Sequence, residues 1–221
     1  MKKEIFLTAD GSTSFHLPQW NEQYHSKHGA IQEAYHVFIH SGLDLFAENS
    51  TVSILEIGLG TGLNAFITFL EQQKRNLIVN YVGVEKYPLK KEEILLLNYP
   101  SALKVIKFQS VFNQIHHSKW EEPIAIDKNF TLTKRQQDFK DISDNNKFDL
   151  IYFDAFGARV QPELWTEERF KQMYDALKPN GVLVTYSAKG SVRRAMIAVG
   201  FTVEKIPGPI GKREMLRAIK Q

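Results

Sequence analysis

The segment SILEIGLGTG, residues 53–62, places an apolar run directly before three glycines at alternate positions. The run 52–57 is typical of a strand buried on both faces, as in a parallel sheet. The segment that follows, LNAFITFLEQQ, has helical spacing. Glycine removes the Cβ where a backbone turns tightly or touches a ligand. The glycines therefore lie in a strand-to-helix turn, which is where α/β sheets bind nucleotides.

The rest of the chain alternates predicted strands and helices. Apolar strands end at Glu85 and Asp154, one helix opens at Pro88, and another is capped by Thr166 and runs to a turn at 179–181. The remaining predicted elements are extended segments on either side of a turn at 127–129, a strand at 181–187, a short helix at 191–200, and strands at 201–206 and 213–219. This order predicts an α/β fold, a mostly parallel sheet with helices on both faces.

Residues 1–50 differ in character from residues 51–221. They predict a hairpin turning at Asp10-Gly11, then a glycine-interrupted segment and an amphipathic helix. No repeat, low-complexity tract or linker separates the two parts. At 221 residues and 43% hydrophobic content, the chain can bury one substantial core. We therefore expect an N-terminal extension packed on a core formed by 51–221, in one structural domain.

Composition excludes several kinds of site. The chain has no cysteine, which rules out disulfides and thiolate metal sites. Four histidines, His25, His28, His36 and His40, fall in the N-terminal part, but they form no compact zinc pattern, so we predict no metal. No apolar run reaches the length of a signal peptide or a membrane span. A cytoplasmic protein without a membrane partner is expected.

The spacing of the glycines discriminates between nucleotide-like ligands. A dinucleotide site requires G-x-G-x-x-G, and here the third glycine comes one residue early, with Leu63 in its place. Pyrophosphate binding is therefore disfavoured. In the other familiar pattern, acidic-x-G-x-G-x-G, a carboxylate at the strand end faces a positively charged ligand, as Glu56 would. S-adenosylmethionine carries an ammonium and a sulfonium but no phosphate.

Acidic residues at other strand ends support this cofactor. Glu85 can accept hydrogen bonds from both ribose hydroxyls. Asp138 can reach the adenine amino group, with Phe139 packing on the ring. The predicted cofactor-binding residues are Glu56, Gly58, Gly60, Thr61, Gly62, Asn64, Glu85, Lys86, Asp138, Phe139 and Asp154.

The sequence Asp154-Ala155-Phe156 is the predicted catalytic segment, because it follows a strand at the edge where the reacting methyl group would lie. Methyl transfer to an amine requires a neutral nucleophile, and an alkylamine of lysine type titrates near ~10.4. Asp154 can accept the proton directly or through water, while the Ala155 carbonyl orients the nitrogen and Phe156 walls the pocket. In the alternative interpretation, Asp154 only orients the methionine end of the cofactor.

Several motifs resemble those of one family. They are GLGTGLNAF, YFDAF followed by PELWT, YSAKGSVRRAM, GFTVEKIPGPIGKREML and the N-terminal SFHLPQWNEQYHSKHGAIQEAYHVFIHSGL. Together they resemble the bacterial methyltransferases that act on 5-aminomethyl groups of the tRNA wobble uridine, MnmC and MnmD. GKREML is the most specific of these motifs, and the resemblance spans nearly the whole chain.

This resemblance implies a class I, Rossmann-like methyltransferase fold with a mostly parallel seven-stranded sheet and a late antiparallel strand. It also implies that S-adenosylmethionine methylates 5-aminomethyl(-2-thio)uridine to the 5-methylaminomethyl form. Many members carry a fused FAD oxidoreductase, but residues 1–221 contain no dinucleotide fingerprint. We therefore expect no FAD, and a separate enzyme that supplies the amine. The family often has a proline shortly after Asp-x-Phe, whereas this chain has Gly157 and Arg159 in that region, which alters the substrate lip.

Basic residues are concentrated near the C-terminus. The formal net charge is +3, and eight basic residues against two acidic ones lie between 189 and 220. With tRNA as the partner, Arg193, Arg194, Lys212 and Arg213 would contact phosphates. The flipped base would stack on Phe156, Tyr24 or Trp165. The alternative is a solvated surface.

Two other functions remain compatible with the sequence. An aminopropyltransferase of the spermidine synthase type uses the same kind of sheet, although a basic region would repel a polyamine. A non-catalytic module that binds tRNA or a cofactor is the other alternative.

Overall fold

The computed structural model describes residues 2–221. The strands are β1 Glu4–Leu7, β2 Thr13–Leu17, β3 Glu22–Gln23, β4 Thr51–Ile57, β5 Ile78–Val84, β6 Pro123–Ala125, β7 Phe130–Arg135, β8 Phe148–Phe153, β9 Leu177–Thr185, β10 Thr202–Pro207 and β11 Glu214–Ile219. The α-helices are α1 Ala30–Ala34, α2 Leu63–Arg75, α3 Lys91–Ile94, α4 Tyr99–Ala102, α5 Gln109–His117, α6 Glu167–Ala176 and α7 Gly190–Ala198. A π-helical segment, Tyr35–His40, continues α1.

The central sheet has eight strands in the order β10-β11-β9-β8-β4-β5-β7-β6. Neighbours from β9 to β7 pair in parallel, and β11 lies antiparallel between β9 and β10. The predicted α/β fold with a mostly parallel sheet and a late antiparallel strand is confirmed. The eighth strand is β6, which pairs antiparallel with β7 across the turn at 127–129 and extends the edge of the sheet.

The core lies on both faces of this sheet. Ile54 and Leu55 are adjacent on β4 but belong to different apolar clusters, because successive side chains of a strand point to opposite faces. One cluster includes Phe66 of α2 and Phe112 of α5. The other includes Phe170 of α6. The largely apolar sequence of β4 is therefore explained by helices on both sides.

The N-terminal hairpin forms where the sequence predicts it. β1 and β2 pair antiparallel, and β3 completes a separate three-stranded sheet. Asn98 ties this hairpin to the core, accepting from the Thr13 amide at 2.8 Å and donating to the Gly11 carbonyl at 2.9 Å. Asp10 accepts from the Gln32 amide in the first turn of α1 at 3.0 Å.

Replacing Asp10 by Ala is expected to destabilise the protein by about 1–3 kcal/mol, because donors that it satisfies lose their partner. Burial raises the pKa of Asp10, but hydrogen bonds from Ser12, Gln32 and Thr8 outweigh burial and hold the pKa below its ordinary value. The stabilisation is therefore present above about pH 4 and is lost as the pH falls through the folded-state pKa. Urea unfolding at pH 7 and pH 3 measures both effects. Exposed Asp141 is the control, and equal losses for Asp141→Ala and Asp10→Ala would contradict the prediction.

Two helices differ from their predictions. The helix predicted to open at Pro88 begins at Lys91 and ends at Ile94, and the Glu93 carboxylate caps its start by accepting from the Lys90 amide at 2.8 Å. The helix capped by Thr166 ends at Ala176, and β9 already begins at Leu177. The predicted turn at 179–181 is therefore a bend within β9, where Asn180 has a φ of +63°.

Candidate functional site

A cleft of about 1410 Å³ opens along the carboxyl edge of the parallel strands. The structure brings most of the predicted cofactor-binding and catalytic residues to this cleft. Those that line it are Gly58, Gly60, Thr61, Asn64, Glu85, Lys86, Asp138, Phe139, Asp154, Ala155 and Phe156. Glu56 and Gly62 lie behind this surface. Residues that are distant in sequence meet here because the carboxyl ends of parallel strands share one edge.

The glycine turn between β4 and α2 uses its own amides internally. The amides of Gly58 and Leu59 donate to the Val84 carbonyl at 3.0 and 3.1 Å. The Gly60 amide donates to the Glu85 carboxylate at 3.0 Å, and the Gly62 amide donates to the Leu59 carbonyl at 2.8 Å. These four N–H groups are not available to a phosphate, which agrees with the glycine spacing in disfavouring a pyrophosphate ligand.

Positive φ angles explain the three glycines. They are +92°, +48° and +70° at Gly58, Gly60 and Gly62, a region that other residues rarely adopt. A Cβ on Gly58 would come within 2.8 Å of the Asp154 carbonyl oxygen, so this residue must be glycine for β4 and β8 to approach here. A Cβ on Gly60 would lie 3.4 Å from the Tyr24 ring.

One amide group joins two acids, of which Glu56 is buried and Asp154 is partly buried. Asn64 Nδ2 donates to Glu56 Oε1 and to Asp154 Oδ2, each at 2.9 Å. Glu56 is fully buried, and its Oε2 has no hydrogen-bond partner. The protein therefore leaves one carboxyl oxygen of this pair without a hydrogen-bond partner.

The electrostatics of these acids follow from their burial. Burial, and then the charge of Asp154, raises the pKa of Glu56 well above its ordinary value. Burial, and then the charge of Glu33, raises the pKa of Asp154 in the same direction. Both carboxyls hold protons more tightly than exposed carboxyls do, and a cation in the cleft would favour their ionised forms.

Glu85 is oriented by the backbone. Its two carboxylate oxygens accept from the amides of Gly60 at 3.0 Å and Tyr87 at 2.9 Å, and a carboxylate has further lone pairs for a ligand. Asp138 forms an ion pair with Lys86 at 2.6 Å and accepts from the Lys140 amide. Glu85, Lys86 and Asp138 therefore lie together at the same end of the cleft.

The aromatic candidates separate into two groups. Tyr24 and Phe156 line the cleft and contact each other edge to face, with ring centroids 5.1 Å apart. The prediction for Trp165 is wrong, since this side chain is only 6% exposed and its indole N–H donates to the Phe156 carbonyl at 2.8 Å. Trp165 supports residues 154–156 from the core and cannot stack on a base.

The basic residues of 189–220 do not form one surface. Lys205 pairs with Glu214, and Arg217 pairs with Glu204. Lys220 binds the Leu177 carbonyl at the amino end of β9, away from the carboxyl edge where the cleft lies. For these residues the alternative, a solvated surface, is the better description. Lys212 points into the cleft, 3.1 Å from a Glu33 oxygen and 4.1 Å from the centroid of the Tyr186 ring.

Arg193, Arg194 and Arg213 lie near the cleft edge but not in the cleft. α7 follows the carboxyl end of β9, and β11, antiparallel to β9, begins at that same edge. Topology therefore places all three arginines toward the carboxyl edge of the parallel strands. Within residues 2–221, no carboxylate forms an ion pair with any of them.

Among the cleft residues that sequence reasoning missed are Trp20, Glu33 and Tyr186. Tyr186 follows the end of β9, and its hydroxyl donates to the Ala155 carbonyl at 2.8 Å. The strand-end rule that selected Glu85 would also have selected Tyr186. No sequence pattern indicates Trp20 or Glu33, because both reach the cleft through the N-terminal extension.

The histidines of the N-terminal extension have separate partners. His25 bonds to Ser14, His36 to the Pro207 carbonyl and His40 to Asp44. In the described part of the chain, no group of three or more His, Cys, Asp or Glu side chains is arranged to hold a metal ion. None of the helices formed by residues 2–221 has the length and apolar character needed to cross a membrane.

Comparison with known sequences identifies related proteins. A model of the S-adenosyl-L-methionine-dependent methyltransferases matches residues 107–221, just over half of the chain. The chain is 28% identical, over 96% of its length, to the tRNA 5-methylaminomethyl-2-thiouridine biosynthesis bifunctional protein MnmC of Cupriavidus metallidurans. It is 31% identical, over 90% of its length, to the protein of that name from Leptospira borgpetersenii serovar Hardjo-bovis. It covers 33% and 32% of these proteins, and so spans about a third of their length.

Two solved structures are similar to this fold. MNMC2 from Aquifex aeolicus has a TM-score of 0.81 and 28% identity, with 98% of this chain and 69% of that chain covered. Spermidine synthase from Thermotoga maritima has a TM-score of 0.60 at 16% identity, with 99% and 68% covered, a likeness in fold alone. The resemblance to MnmC that the sequence motifs indicate is confirmed. By the match over residues 107–221, this chain belongs to the S-adenosyl-L-methionine-dependent methyltransferase family.

Proposed function

We propose that this chain methylates 5-aminomethyl(-2-thio)uridine at the wobble position of tRNA, giving the 5-methylaminomethyl form, with S-adenosylmethionine as the methyl donor. The observation that carries the proposal is the carboxyl of Asp154, which lies in the cleft and is bridged by Asn64 to the buried carboxyl of Glu56. Likeness to MnmC proteins supports tRNA as the substrate.

The cleft fits S-adenosylmethionine better than a phosphate-bearing cofactor. Glu56 Oε2 is buried without a partner, and the amides of the glycine turn are already used. An excess of carboxylates over free donors suits a ligand that carries an ammonium and a sulfonium. Glu56 would hold the methionine end, and Glu85 the ribose. The remaining residues proposed to hold the cofactor are Gly58, Gly60, Thr61, Gly62, Asn64, Lys86, Asp138 and Phe139.

Asp154 is the proposed proton acceptor. S-adenosylmethionine, when bound, supplies an electrophilic methyl group. The acceptor amine must reach this methyl group in its neutral form, and a carboxyl whose pKa is raised by burial is a better base than an ordinary carboxylate. Phe156 excludes water from the amine, and the Ala155 carbonyl accepts from the Tyr186 hydroxyl, which fixes its direction. The other role that we consider for Asp154 is to orient the methionine end of the cofactor.

The substrate side completes the proposal. Tyr24 and Phe156 are the proposed walls for the flipped wobble base, and Arg193, Arg194, Lys212 and Arg213 are proposed to contact the tRNA. Lys212 would act inside the cleft rather than on a distant phosphate, because it is paired with Glu33 there. Reaction in the cytoplasm and a separate enzyme that supplies the aminomethyl group are parts of the same proposal.

A methyl-transfer assay tests this function against its alternatives. The protein is incubated with labelled S-adenosylmethionine and tRNA from a strain that lacks the modification, and wobble nucleosides are analysed by mass spectrometry. A gain of one methyl group on the 5-aminomethyl nucleoside is expected. Product formed from putrescine and decarboxylated S-adenosylmethionine would instead identify an aminopropyltransferase. Binding without either product would identify a non-catalytic module.

Removing the three arginines at the cleft edge is expected to weaken tRNA binding irrespective of sequence. Affinity falls as salt rises, and this dependence should weaken in the variant Arg193→Gln, Arg194→Gln, Arg213→Gln. The negative slope of log affinity against log salt should become shallower by about three, since each lost phosphate contact releases roughly one fewer counterion. Filter binding at several salt concentrations measures this slope. The matched control replaces Lys74, Lys128 and Lys147, which are exposed near the opposite edge of the sheet, by Gln. Equal slopes for the two triple variants would mean that the arginines form only a solvated surface.

A further inference from the structure

Residues 18–24, which we call the lid segment, cross the mouth of the cleft. They connect β2 to the residues after β3 and belong to the N-terminal extension. Trp20, Glu22 and Tyr24 of this segment line the cleft opposite Phe156 and Gly157. The site is therefore built from two parts of the chain that are more than a hundred residues apart.

The aromatic rings of the lid segment face the catalytic segment. Trp20 and Tyr24 each meet Phe156 edge to face, with centroid distances of 5.7 and 5.1 Å. The Tyr24 ring also lies against Gly60, where a Cβ would be 3.4 Å from it. Movement of the lid segment would therefore change the aromatic wall beside the predicted acceptor position. It would have less effect on Glu56 and Asp154.

One side chain joins the lid segment to the loop after β8. Arg159 Nη2 donates to the carbonyls of Trp20 and Asn21 at 3.3 and 2.9 Å and to a Glu22 carboxylate oxygen at 3.0 Å. The other hydrogen bonds of the segment, from the amides of Trp20, Asn21 and Tyr24, remain within the N-terminal extension. Over residues 2–221, Arg159 thus makes all the hydrogen bonds that connect the lid segment to the central-sheet part.

Arg159 lies at the surface, where it contacts the lid segment, and contributes little to the packing of the core. Its side chain is 58% exposed, so its loss removes little buried contact. Asn21 has a φ of +47°, and the turn directs two successive carbonyls at one guanidinium. A planar, permanently charged group with several donors can bind all three acceptors at once.

We propose that Arg159 is a positioning residue for the acceptor, which holds the lid segment so that Trp20 and Tyr24 form, with Phe156, an aromatic pocket for a planar base. This inference rests on the proposed function, because it assigns a place to the acceptor of the same reaction. Without Arg159, the pocket-forming arrangement is one of several that the lid segment adopts. The apparent affinity for the acceptor then falls in proportion to the fraction of protein that has the pocket formed.

The test uses Arg159→Met, Arg159→Lys and a control variant. For Arg159→Met we expect the KM for tRNA to rise roughly tenfold, corresponding to a tenfold smaller competent fraction, with kcat within about twofold of the wild type. Affinity for S-adenosylmethionine and the Tm should stay unchanged, and Arg159→Lys, which keeps a cationic donor, should recover part of the KM. Lys171→Met is the control, since Lys171 is 56% exposed and paired with Asp175 on α6 outside the cleft.

A second measurement follows the lid segment directly. Acrylamide quenching of Trp20, obtained by difference against Trp20→Phe, should increase in Arg159→Met and not in Lys171→Met. Unchanged quenching together with unchanged KM would overturn the inference, as would a parallel loss of cofactor affinity and Tm, which would indicate a merely structural residue. If the wild type transfers no methyl group to tRNA, the proposed function fails. Trp20 quenching then still decides whether Arg159 holds the lid segment.

Discussion

Asp154→Asn is expected to lower the rate of methyl transfer to tRNA by roughly 100- to 10,000-fold, the range found when proton-transfer catalysis is lost. The substitution keeps the size of the side chain and an oxygen that can still accept from Asn64 Nδ2, which now bonds to Asp154 Oδ2 at 2.9 Å. It removes the ability to take a proton and, with it, the negative charge of the ionised carboxylate, while Glu56 keeps its carboxyl beside the proposed methionine end. Cofactor affinity should therefore change far less than the turnover rate.

The pH dependence of this variant separates the two proposed roles. Because burial raises the pKa of Asp154, the wild-type rate should show a rising limb that levels off once the carboxyl has lost its proton, whereas the rate of Asp154→Asn should keep rising with the neutral fraction of the amine. Single-turnover rates between pH 5 and pH 8 measure this limb, and calorimetry measures cofactor affinity. Glu56→Gln is the matched amide substitution at the neighbouring acid. A loss of cofactor affinity in Asp154→Asn as large as the loss of rate would show that the carboxylate only orients the methionine end.

Gly60→Val is expected to weaken S-adenosylmethionine binding by about 100-fold or more, corresponding to ~2.7 kcal/mol. Two effects combine. A β-branched residue is strained at the observed φ of +48°. Its Cβ would also lie 3.4 Å from the Tyr24 ring, so its methyl groups would enter the space between the glycine turn and the lid segment.

Calorimetric titration with S-adenosylmethionine measures this loss, and circular dichroism confirms that the variant is folded. Gly60→Ala is the graded control, because alanine tolerates the conformation better and adds only the Cβ. The affinity of Gly60→Ala for S-adenosylmethionine should lie between those of the wild type and Gly60→Val. Unaltered affinity in folded Gly60→Val would mean that the cofactor does not lie against this turn.

The amino-acid sequence determined the strand-to-helix turn and its neighbours because these depend on local patterns. A doubly buried strand needs a continuous apolar run, a turn with positive φ needs glycine, and an acid that directly follows a strand reaches the carboxyl edge wherever that strand lies in the sheet. From these rules we correctly predicted that Gly60, Glu85 and Asp154 lie at one cleft. They also predicted the two hairpins, β1–β2 and β6–β7, since each is closed by a short turn between pairing segments.

Only the tertiary structure decided which side chains meet. The Asn64 amide bonds to an acid ninety residues away, and Trp165 is held in the core by a bond to the Phe156 carbonyl. No periodicity encodes such pairs, because the spacing of residues along one element says nothing about what a distant loop places against it. The same reason explains why the basic C-terminal region, uniform in sequence, divides into paired residues, a cleft lysine and three arginines at the edge. It also explains why Arg159, which the sequence marks only as a departure from the family's pattern, makes the hydrogen bonds that join the lid segment to the loop after β8.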